Sequence, residues 1–180
     1  MTPIRIRPAA AILAVALTAL AATNLLNAAT AIGASNSKAL PQRLTLFSAS
    51  VRGKDAPIVV QAAGPIRGLG TETQTEKNTA TGQINYATLH FANGTVRFVA
   101  PEKFAWRPDF RSCSATASGG GTFTITGGTG AYRGATGKGT FTSNGVMIGA
   151  RDSHGNCLTK TQPTINYVTV TLIGTAATGS

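Results

Sequence analysis

Acidic residues are scarce in this chain: six Asp and Glu stand against sixteen Lys and Arg in 180 residues, a formal net charge of +10. Histidine and cysteine are scarcer still, at two each, and there is one tryptophan. Two cysteines and two distant histidines do not make up the four soft ligands of a structural zinc site, so no metal and no cofactor is expected. No segment keeps apolar residues at helical spacing between capping signals, which argues against a helix-built fold. Beyond Ala22 there is no second long apolar run, so no integral membrane helix is expected in the mature chain.

The N-terminus accounts for the one run that exists. Arg5 and Arg7 precede an apolar stretch from Pro8 to Ala22, broken only by Thr18. This is the charged and apolar order of a secretory signal, and it is short of the roughly 20 residues that cross a bilayer as a helix. Cleavage is expected after Ala21 or Ala31, both preceded by small-x-small spacing. The reading is therefore a signal helix over 1–31, a flexible leader over 32–42, one domain over 43–175 and a short tail over 176–180, in a secreted protein. Outside the cytoplasm Cys113 and Cys157 read as a disulfide, the other reading being two separate thiols. The basic residues are scattered, giving a basic surface that can attract an anionic wall polymer; nucleic acid is not an expected partner of an exported chain.

Turn signals recur every ten or so residues, with short Thr-, Val-, Ile- and Phe-rich runs between them, the pattern of an all-β sandwich or barrel. Strands are expected at 44–48, 58–63, 66–73, 84–91, 95–99, 111–117, 122–126, 139–143, 146–150 and 166–174. Asn93-Gly94 and Asn144-Gly145 predict two-residue hairpins. Phe123 and Ile125 alternate with Thr122, Thr124 and Thr126, and Val168, Val170 and Leu172 with Tyr167, Thr169 and Thr171, as antiparallel strands with one wet face do. About eight strands in one domain allow a closed antiparallel barrel, wide enough for side chains or one small ligand.

Residues 119–139, GGGTFTITGGTGAYRGATGKG, are the most distinctive segment. Gly128, Gly130 and Gly134 are spaced one residue too far for a dinucleotide fingerprint, and no apolar helical stripe follows. Gly137-Lys138 lacks the partner glycine and the hydroxyl residue of a P-loop. Gly127, Gly128, Gly130, Gly134 and Gly137 read instead as turns and bends in a barrel wall. The run from Thr124 to Gly139, with Gly64 to Thr71 and Phe91 to Thr95, resembles the allene oxide cyclase and dirigent-like barrel group, and is most similar to its small exported actinobacterial members. The resemblance spans residues 58–172. It implies an eight-stranded antiparallel barrel with a central cavity, a homo-trimer as in plant members, and activity, where there is any, by confining a reactive substrate. It carries no catalytic residue over to this chain.

The titratable inventory is thin. Asp152-Ser153-His154 has triad residue types, but adjacency in sequence is not triad geometry, and a surface loop is expected. Glu72 and Glu76 fall in a Thr/Gln/Lys-rich segment that reads as a solvated turn. His90 is a candidate for the cavity mouth. Residues 98–110 concentrate Phe98, Phe104, Trp106 and Arg107, which can stack on and attract a phenolic or partly apolar ligand, on a long loop plugging or covering one barrel end. Three functions follow: a non-catalytic barrel enclosing a small, partly apolar molecule; a cyclase or isomerase working by confinement; and a basic, wall-associated structural protein.

Overall fold

The computed structural model describes residues 38–158 and 161–179, so the expected signal segment lies outside the described residues. Nine strands follow one another: β1 (Leu40–Val51), β2 (Lys54–Asp55), β3 (Ile58–Ala63), β4 (Gly68–Thr79), β5 (Gly82–Phe91), β6 (Gly94–Asp109), β7 (Ser114–Gly128), β8 (Thr136–Ile148) and β9 (Ile165–Ala177). Every pairing is antiparallel. Strands β1 and β3 to β9 pair in sequence order, and β9 returns to β1 from Leu40↔Ala176 to Val51↔Ile165. The result is a closed eight-stranded barrel with β2 outside it, against the end of β1.

Period-two alternation turns one apolar row of most strands inward, while Phe47, Val59, Leu69 and Ile173 stay exposed on the outer wall. Leu44, Val60, Leu89, Val96, Phe123 and Leu172 are almost wholly buried and meet in one cluster. Each such side chain contributes roughly 1.5–3 kcal/mol by leaving water. The cluster fills one end of the barrel. Gln42 finishes that end: its amide nitrogen donates to the carbonyls of Ala63 (3.0 Å) and Ile66 (2.9 Å), and its oxygen accepts from the Ile66 amide at 2.9 Å. Tyr132, stacked edge-on against Phe91, donates its hydroxyl to the Arg67 carbonyl at 3.0 Å and pins the same corner. Gln42 and the buried Ala176 and Ala177 thus belong to strands, where the sequence reading placed a leader and a tail.

In the glycine-rich motif three of the five expected turn glycines lie at bends, while Gly128 and Gly137 are paired residues within β7 and β8. Gly127, Gly130 and Gly134 have positive φ (143, 58 and 70°), and a 3-10 turn over Gly130–Tyr132 leads directly into β8. A Cβ on Gly130 would collide with the Asn93 carbonyl of the neighbouring hairpin. Three expectations are corrected. The β5–β6 turn is Ala92–Asn93, one residue earlier than predicted, and neither residue has positive φ. Asn144-Gly145 makes no turn, because β7 and β9 pair with β8 straight through it. Residues 98–109 are not a loop: they are the body of β6, paired with β7 to its end.

At the other end of the barrel the strand pairing is incomplete. Residues 73–79 of β4 pair only with β5, and residues 103–109 of β6 pair only with β7. The rim is cross-linked by Cys113–Cys157, with Cα atoms 5.3 Å apart, which joins the β6–β7 turn to the β8–β9 loop. Arg151 reinforces the joint by donating to the carbonyls of Gly155 and Arg111, at 2.6 and 2.5 Å.

Candidate functional site at the barrel mouth

The inward face changes character halfway along the barrel. On β4 the inward positions after Gly70 are Glu72, Gln74, Glu76 and Asn78, opposite Leu89, Ala87, Asn85 and Gln83 of β5. On β6 the same face runs from Phe98 and Ala100 to Glu102, Phe104 and Trp106. The segment read as a solvated turn is therefore a strand that turns two carboxylates into the barrel; a polar strand has no apolar contrast to betray its alternation.

Glu102 organises the mouth. Its carboxylate accepts from the side-chain amides of Asn85 (3.0 Å) and Gln83 (3.2 Å) and from the Ser143 hydroxyl of β8. Gly119 of β7 lies between Glu102 and Ser143, and a Cβ there would stand 2.7 Å from the Ser143 oxygen and 2.8 Å from that of Glu102. The glycine makes room for the bond that spans the strands. Burial pushes the Glu72 carboxyl up to about 7, from an ordinary 4.5. Burial, and then the charge of Glu102, raises Glu76 as well. The bases on the described strands do not offset these acids from inside: Arg43, Lys77, Arg97, Lys103, Arg107 and Lys138 all occupy outward positions. A strongly basic protein thus carries three acids on the inward positions at one end of its barrel.

Above Glu102 on the same face, Phe104 and Trp106 stack edge to face at 6.1 Å, each about half exposed. They are the two ligand candidates that face the mouth. Phe98 is 5% exposed and belongs to the core. His90 lies on the outer wall, opposite Thr71 and Thr95, with its Nε2 2.9 Å from the Thr73 hydroxyl. Arg107, one residue from Trp106, points outward. Asp152 accepts from the backbone amides of His154 and Asn156, which lower its carboxyl pKa in an exposed loop knot; no triad forms. Among the described residues no three of His, Cys, Asp or Glu group closely enough to hold a metal ion.

Carboxylates, carboxamides and a hydroxyl on the floor, with two rings on the wall, can hold a molecule that has an apolar body and a cationic or hydrogen-bond-donating end. No protein-family model, curated protein or solved structure matches this chain.

Proposed function

We propose that this protein is an exported barrel that binds a small, partly apolar molecule at its mouth, apolar body against Phe104 and Trp106 and polar end toward Glu76 and Glu102. The observation that carries the reading is the division of the inward face: one end is packed with apolar side chains, while the other presents three carboxylates, and the bases on the described strands are turned outward. Desolvating an unpaired carboxylate is costly, and a cationic group entering the mouth relieves that cost. Export is supported by the signal-like N-terminus and by the disulfide, since such bonds persist outside the cytoplasm.

Trp106, the chain's one tryptophan, is a built-in reporter. Titration with a medium-chain alkylammonium ion is expected to shift its emission saturably, and E102Q to weaken the response at least fivefold. Equal binding of the fatty-acid anion of the same length, or no saturable change with either, would sink the reading.

A second reading, a cyclase or isomerase acting by confinement as the allene oxide cyclase resemblance implies, is favoured by Glu72. A carboxyl titrating near neutrality suits proton transfer. Turnover of an epoxy fatty acid that E72Q abolishes would establish it; absence of turnover with the intact protein would dismiss it.

A further inference from the structure

The outer wall formed by β4 to β7 is a second surface, chemically unlike the mouth. With Glu72, Glu76 and Glu102 turned inward, Asp109 at the far turn is the one acid on its strand positions. Bases remain: Lys77 on β4, and Arg97, Lys103 and Arg107 in line along β6. Around Arg97 the wall is indented. The register shifts between Arg97↔Gly127 and Phe98↔Ile125, so Thr126 is an extra residue on β7 and bends that strand against β6. A depression of about 290 Å³ opens there, bordered by Thr73, Thr75, Tyr86, Thr88, Arg97 and Thr126. Tyr86 is 44% exposed, a large ring left in water among threonines, with Val99 of β6 also lining the depression. The Thr73 hydroxyl is engaged by His90 and that of Thr126 by the Arg97 carbonyl, at 3.3 Å, so the others are the ones free to turn outward.

We propose that this wall binds a linear acidic polysaccharide. An aromatic face flanked by hydroxyls, each able to donate and accept, suits a sugar ring with its apolar face and equatorial hydroxyls. A guanidinium at the edge of the same depression presents a planar fork for a carboxylate on that ring. Lys103 and Arg107 extend the positive line beyond it for the following residues of a polymer. A single-stranded nucleic acid needs successive rings to stack successive bases, and this depression offers one. The site stands on the opposite side of the wall from the mouth and does not depend on what the mouth holds.

The test is equilibrium binding of fluorescent alginate, a polyuronate, to the full protein at low and moderate salt. Length-matched neutral dextran and a single-stranded oligonucleotide serve as comparators. Alginate is expected to bind and to weaken with salt. R97Q and Y86A should each lower its affinity at least fivefold, and R97K should lose part of it, because it keeps the charge without the fork. R43Q, which removes the same charge on β1 across the barrel, should change affinity less than twofold. Equal losses in R43Q and R97Q would reduce the effect to net charge and overturn the proposal. So would a retained affinity in Y86A, or an oligonucleotide that displaces alginate at equal charge. Circular dichroism melts of each variant separate a lost contact from a lost fold.

Discussion

The two halves of the barrel interior are built from the same eight strands and do different things. In the sealed half, inward positions carry Leu44, Val60, Leu89, Phe123 and Leu172, all 0–1% exposed. In the mouth half, the same faces of β4, β5, β6 and β8 carry Glu, Gln, Asn and Ser, joined by hydrogen bonds around Glu102. The sealed half supplies the free energy of folding. The mouth half gives some of it up, because a buried carboxyl held near pH 7 is a group that folding disfavours once it ionises.

The widest separation between the halves should come from ring deletion. Phe123→Ala in the sealed half is expected to cost about 3–5 kcal/mol and Trp106→Ala at the mouth less than about 1 kcal/mol, since only the first leaves a closed void. Urea midpoints measure both, and similar values would break the comparison. Next in size is the rim: replacing Cys113 and Cys157 by Ser is expected to cost about 2–4 kcal/mol, for a bridge that closes a separation of 44 residues. The double variant should still melt cooperatively, because the core cluster does not include that joint; a non-cooperative melt would show that the rim is needed to define the barrel.

The smallest effect is also the most specific. Between pH 4.5 and about 7 the folded chain retains a proton on Glu72 that the unfolded chain has released, so this group's penalty grows as pH rises and is complete above 7. Glu72→Gln should therefore stabilise the protein at pH 8 by as much as about 3 kcal/mol and leave it unchanged at pH 4. Thermal midpoints of the two proteins across that range check it; curves that run parallel would mean that Glu72 is solvated.

The sealed half was legible in the sequence and the mouth was not, for one reason. Alternation is read from the contrast between apolar and polar residues. Phe123 and Ile125 against Thr122, Thr124 and Thr126 have that contrast, and they lie where it places them. Glu72, Gln74 and Glu76 against Thr73, Thr75 and Lys77 have none, so a two-sided strand looked like a turn. The finer signal was there: carboxylates and carboxamides on one parity, threonines and a lysine on the other. Asn144-Gly145 misled in the opposite way, as a turn dipeptide whose neighbours on β7 and β9 continue past it. The bond between Glu102 and Ser143 joins residues 41 apart across Gly119 and has no local signature. Phe104 and Trp106 drew notice because aromatic rings stand out in any reading, while their setting, a strand rather than a plug, needed the pairing with β7.

The Gln42 amide, with its bonds to Ala63 and Ile66, ties off one end of the barrel. A molecule held as proposed would therefore come and go at the opposite end, past Trp106 and Phe104. Exchange kinetics should then respond to side chains around the opening alone, and a bulky occupant would have to clear the doorway before the next could settle.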